Sequence, residues 1–256
     1  MRFLIAATCF AATIMPAFGA VVYDQPVTNN VIYGSGNTNG NTWSEDQESS
    51  IGLELALRAH TRFPTPLNDF PNDGAGDYGP FPAGNFNGGS SSWNFDWSVN
   101  TNYNGAGGVL NTYTYVLSLD TDPTSGVTLQ SIGVDPVNAC GSPVNDSAQG
   151  TNATPQSGGT VYGTCALYTA GLGANNLVQN SWRYAFFPSI PFDPTVAGVY
   201  TIDLKAFYAG GGNAGQLAGE VSINVDTTPE PATLGLLGGG LLVLPLVARR
   251  RSRGRT

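Results

Sequence analysis

Between residues 51 and 225, apolar side chains recur at every second position in one short segment after another. Ile51, Leu53, Leu55 and Leu57 alternate with Gly52, Glu54, Ala56 and Arg58, and Trp93, Phe95, Trp97 and Val99 with Asn94, Asp96, Ser98 and Asn100. The same period runs through Tyr113, Tyr115, Leu117 and Leu119, through Trp182, Tyr184 and Phe186, through Tyr200, Ile202, Leu204 and Ala206, and through Val221, Ile223 and Val225. A period of two gathers apolar side chains on one face of an extended strand, and it favours strand even over Ile51 to Ala59, where propensity alone would allow a helix. Each segment therefore reads as a half-buried strand of antiparallel sheet, with alternates such as Asn94, Asp96, Ser98 and Asn100 available to line a polar face. Turn chemistry separates the segments at Asp122-Pro123, Ser125-Gly126, Asp135-Pro136, Asp193-Pro194, Ala197-Gly198 and Gly210-Gly211-Gly212. The expected architecture is all-β, a single antiparallel β-sandwich of about seven to ten strands.

Two stretches break the pattern. Residues 69–92 and 138–159 are rich in Gly, Pro, Asn and Ser and read as long loops, the places on a sandwich where binding sites most often sit. Cys140 opens the second of these, and Cys165 lies beyond its end, in what reads as the next strand.

The chain begins with Met1-Arg2, an apolar run from Phe3 to Met15, a breaking Pro16 and the small-residue site Ala17-Phe18-Gly19. That is the layout of a secretory signal peptide, residues 1–19, and Cys9 would leave with it. In an oxidising compartment the remaining Cys140 and Cys165 are expected to form a disulfide, two buried free thiols being the alternative. From residue 20 to residue 228 there are 17 acidic residues against four basic ones (Arg58, Arg62, Arg183 and Lys205), a net charge of −13. Such a body repels nucleic acid and anionic membrane, so no nucleic-acid partner is expected.

The other end carries three unlike elements in order. Pro229-Glu230-Pro231 comes first, then an apolar run over 232–248, then Arg249, Arg250, Arg251, Arg253 and Arg255. As a helix the run spans about 25 Å, a little short of the hydrocarbon core of a bilayer. The arginines would hold its far end in the cytoplasm, leaving the body outside. The two prolines keep the junction extended and accessible. This tail resembles the PEP-CTERM sorting signal of Gram-negative bacteria that make extracellular polysaccharide. The resemblance implies an exosortase-like processing enzyme as a partner, a transient stay in the inner membrane and a final site at the cell surface or beyond. Body segments 93–101, 180–184 and 198–202 resemble those of exported PEP-CTERM proteins of unassigned activity. The tail motif is also called the ice-binding protein C-terminal domain, but this body lacks regular Thr-x-Thr ladders. Three regions follow: 1–19 as signal peptide, 20–228 as extracellular sandwich and 229–256 as sorting signal.

Catalytic patterns are sparse. There is one histidine, His60, and no G-x-S-x-G, H-E-x-x-H or C-x-x-C pattern. The G-x-G-x-x-G at 210–215 links two strand patterns and reads as a hairpin loop. Asp69, Asn72, Asp73 and Asp77 place oxygen atoms on a glycine-rich loop suited to calcium, although a solvated loop is the reading preferred. Asp120 and Asp122 read as a turn. A glycosidase pair would have to come from Glu45, Glu48, Glu54, Asp96 and Asp120. Trp93 and Trp97, with Trp43, Tyr78, Tyr103 and Trp182, suit either sugar stacking or a core, and the core reading is preferred. The expectation is an exported, non-enzymatic surface or matrix protein without cofactor or metal, associated with exopolysaccharide. The alternative is a carbohydrate-binding or carbohydrate-active module.

Overall fold

The computed structural model describes residues 19–28 and 30–229. The signal-peptide segment before residue 19, the apolar run over 232–248, Glu230, Pro231 and the five tail arginines lie outside the described residues. Two sheets face each other. The larger has seven strands in the order β1 (Val22–Gln25), β2 (Trp43–Glu48), β3 (Leu53–Thr61), β5 (Trp93–Asn100), β10 (Leu177–Trp182), β8 (Ala148–Gly150) and β9 (Thr160–Val161). The smaller has five, β4 (Asp77–Ala83), β12 (Leu217–Pro229), β11 (Gly198–Tyr208), β6 (Tyr113–Asp120) and β7 (Leu129–Ser131). Pairing is antiparallel except between β12 and β4. The all-β sandwich read from the sequence is the observed class.

The core lies between the sheets, where the alternating residues meet. Leu53, Leu55 and Leu57 of β3 and Phe95, Trp97 and Val99 of β5 share one cluster with Leu117 and Leu119 of β6, Ile202 and Leu204 of β11 and Val221, Ile223 and Val225 of β12. Burying a side chain of this size is worth about 1.5–3 kcal/mol, which is why a strict period specifies the register. Trp97 packs edge-on to Trp182 with ring centroids 5.0 Å apart.

Four expectations need correction. The stretches 69–92 and 138–159 are not loops throughout, because each contributes a short strand that pairs with a long one, β4 with β12 and β8 with β10. The period at Trp182, Tyr184 and Phe186 is not one strand, because β10 ends at Trp182 and residues Tyr184–Phe186 form a 3-10 turn. Cys165 does not enter a strand but opens the single α-helix among the described residues, α1 (Cys165–Leu172), capped by the Thr164 side chain accepting from the Leu167 N–H at 3.3 Å. The larger sheet is not solvated on its outer side. Asn94, Asp96, Ser98 and Asn100 of β5 are all buried, because the chain between β1 and β2 crosses that face. Val27, Val31 and Trp43 pack there on Ala56, and Ile32 packs on Ala148 and Leu177.

Candidate functional site

The covered face holds the charges that the alternation placed opposite the core. Arg58 on β3 is the cross-strand partner of Asp96 on β5, and its Nε donates to Asp96 Oδ2 at 2.8 Å. The rest of the guanidinium is fully engaged. Nη1 donates to the Gly40 and Asn41 carbonyls at 2.6 and 3.2 Å, and Nη2 donates to Asn37 Oδ1 at 2.9 Å and to the Thr38 carbonyl. Trp43 and Phe70 sandwich it, each ring centroid 4.1 Å from Cζ. His60, two residues along the same face, puts Nδ1 3.1 Å from Asp96 Oδ1. Burial opposes the charge on Asp96, but His60 and Arg58 outweigh it and hold the carboxyl below its ordinary range. None of the three side chains is exposed. The cluster cannot meet a ligand; it clasps the loop at 37–43 onto the sheet.

An acidic group lies beside it on β2 and β3. Glu54 accepts from the Thr28 N–H at 3.0 Å, from the Thr28 hydroxyl and from Gln47 Nε2 at 2.7 Å. Glu45 receives only a long contact of 3.4 Å from Gln47. Burial, reinforced by the Glu54 charge, pushes the Glu45 carboxyl up to about 8. Asp46 reaches across to the second sheet, where its Oδ2 accepts from the Glu220 N–H at 2.8 Å, and burial raises it to about 6. Every member of the glycosidase pool read from the sequence is inside: Glu45, Glu54, Asp96 and Asp120 are at most 1 % exposed and Glu48 is 9 % exposed. Asp120 caps the turn that follows β6, accepting from the Asp122 and Thr128 N–H groups at 3.0 and 2.8 Å.

All four tryptophans are buried to within 1 %, so none offers a stacking face. Tyr78 is buried as well, and Tyr103 is half-buried. In the acidic loop, Asn72 Oδ1 accepts from the Gly74 N–H and Asp73 Oδ1 from the N–H groups of Ala75 and Asp77, while Asp77 accepts from Asn224. Among the described residues, no group of three potential metal ligands converges. A cleft of about 230 Å³ lined by Ile32, Tyr33, Ser35, Asp146 and Val161 is smaller than most small-molecule sites.

Cys140 and Cys165 are joined, with Cα atoms 5.5 Å apart. The bond ties the loop at 138–146 to the start of α1, whose Tyr168 hydroxyl donates to the Val137 carbonyl at 2.8 Å. At the C-terminal end, Pro229 is the last residue of β12 and lies in register with Ala83 of β4, so the folded body reaches to the first residue of the Pro-Glu-Pro triplet. Among the described residues, no helix is long and apolar enough to cross a membrane.

One pair escaped the sequence reading. Arg62 follows β3 and Arg183 follows β10, and because both strands pair with β5 the two guanidiniums arrive at the same end of the sheet. The available signal was that four cations serve a body of 17 acids, so any two that meet are notable.

Residues 227–251 match the family described as the PEP-CTERM protein-sorting motif. No curated protein and no solved structure matches the chain.

Proposed function

We propose that this protein is a non-enzymatic component of the cell surface or extracellular matrix, released from the inner membrane by an exosortase-type enzyme and retained with exopolysaccharide. The motif at 227–251 marks an exported protein recognised by an exosortase-type enzyme and sorted via the membrane, and it is the observation that carries the proposal. The signal-peptide pattern of residues 1–19 and the helix-length run over 232–248 support the same route. The body supports a structural role: the carboxyls of the glycosidase pool and all four tryptophans are buried. A hydrolase would need two carboxyl groups that a substrate can reach, and none of the buried five offers that.

The test is intact-mass analysis of the protein recovered from the cell surface and medium, with fractionation against the polysaccharide matrix. The expected species lacks residues 1–19, has lost the arginine tail and travels with the matrix. Recovery solely from the inner membrane, with Arg249 to Arg255 still attached, would overturn the proposal.

A further inference from the structure

Of the four basic residues between 20 and 228, two are neutralised. Arg58 pairs with Asp96, and Lys205 lies 3.1 Å from Asp203 and 3.0 Å from Glu220. Arg62 and Arg183 form no ion pair among the described residues, although the body carries 17 acids. Both instead converge on one aromatic ring, the Cζ of Arg62 5.8 Å and that of Arg183 5.7 Å from the Phe63 centroid, close enough for the Arg62 charge to act on Arg183. A second ring, Phe186, lies 4.7 Å from the Arg183 Cζ and is 39 % exposed. Both arginines are half-buried, and Arg183 Nε is sheltered from solvent with no hydrogen-bond partner. Gly36 borders the Arg62 guanidinium, and a Cβ there would lie 3.8 Å from it.

Two like charges held together without a counter-ion repel each other, and a half-buried guanidinium with an idle donor loses hydrogen-bond energy. An anion seated between them removes both costs. Guanidinium forks match the planar carboxylate, and aromatic rings beside them match the C–H faces of a sugar ring. We propose that Arg62, Phe63, Arg183 and Phe186 form a binding site for a carboxylate-bearing sugar residue of an acidic polysaccharide. The proposal deepens the reading that the protein is retained with exopolysaccharide, and rests on it. A flat anionic membrane is the poorer fit, because the net charge of −13 on the body repels an extended anionic surface, whereas a single sugar of a flexible chain needs to meet only the two arginines and their rings.

The test is calorimetric titration of the full-length protein in detergent with an oligogalacturonate, a neutral glucan oligomer of equal length, inorganic sulfate and phosphatidylglycerol vesicles. The oligogalacturonate should bind, the neutral oligomer should not, and sulfate should compete. Arg62→Gln and Arg183→Gln should each weaken binding at least about tenfold, and the double variant should abolish it. Lys205→Gln should bind like the parent, and a melting temperature measured on each variant identifies any that has failed to fold. Arg183→Lys, which keeps the charge but loses the fork, should fall between. Oligogalacturonate binding that survives both glutamine substitutions would overturn the site, as would equal binding of the neutral oligomer or binding to vesicles alone. A double variant that keeps both oligogalacturonate binding and matrix fractionation refutes this site and leaves the exopolysaccharide reading standing. A parent protein that binds the oligomer yet never accompanies the matrix supports the site and refutes that reading.

Discussion

Arg58 shows how far one residue's role depends on its neighbours. A buried guanidinium is costly to desolvate, and here the cost is met by one carboxylate, three carbonyls, an amide and two aromatic faces. Its donors hold residues 37, 38, 40 and 41, so the side chain fastens the segment that hides the outer face of the sheet. Arg58→Met removes the fork and leaves Asp96 buried with only His60 and Ser181 beside it. The expected loss is about 3–5 kcal/mol, read as a shift in the urea midpoint at pH 7. Replacing Arg58 and Asp96 together by apolar residues of similar volume should recover part of it, since an unpaired buried charge costs more than an absent pair.

Among the elements, the disulfide joins two pieces with little else in common. The loop at 138–146 has no strand of its own, and α1 is only eight residues long, too short to persist alone. The cross-link spans 25 residues, and changing both cysteines to serine should cost about 3 kcal/mol in the chain-entropy account. That loss would appear as a lower denaturation midpoint under oxidising conditions, with no further loss when reductant is added. A variant as stable as the parent would mean that the α1 packing holds the loop unaided. The pairing was legible because an export signal leaves two cysteines to meet. The helix was not legible, because its sequence Cys-Ala-Leu-Tyr-Thr-Ala-Gly-Leu has no marked apolar stripe and rests on tertiary contacts of Tyr168 and Leu172. The long strands β3, β5, β6, β11 and β12 were legible because each buries an alternating row against the other sheet. The short edge strands β1, β7 and β9 were not, because all their residues are exposed and no burial pattern marks them. The covered outer face was hidden for a related reason. Polar alternates look the same whether they face water or, beneath a covering segment, bond to side chains along β10, and nothing in the order Asn94, Asp96, Ser98, Asn100 distinguishes the two.

At the scale of the whole molecule, the buried carboxyls set how stability follows pH. Glu45 is raised from 4.5 to about 8 and Asp46 from 3.8 to about 6, both chiefly by burial, and Asp203 is raised by the same cause. A carboxyl whose pKa is higher in the folded state holds its proton more tightly there. Its contribution is fully present below the ordinary carboxylate range and is lost as pH climbs through the folded value. Asp96 is held low, so its contribution runs the other way and fades in strong acid. Stability should therefore peak near pH 4–5 and decline between about pH 5 and 8, measurable as a falling melting temperature. Glu45→Gln should flatten the decline above pH 6 and raise the melting temperature at pH 8. A profile that rises from pH 5 to 8 would contradict the burial argument.

The strand that leads into the sorting motif has a mechanical meaning. β12 is thirteen residues long and lies between β4 and β11, paired with β11 from Leu217 to Thr227 and with β4 from Asn224 to Pro229. A pull applied at Pro229 along the strand axis meets ladder bonds that lie across it. The load is therefore shared over the whole strand in shear instead of peeling one rung at a time. While its tail is held and tugged, the body can be hauled without being unravelled.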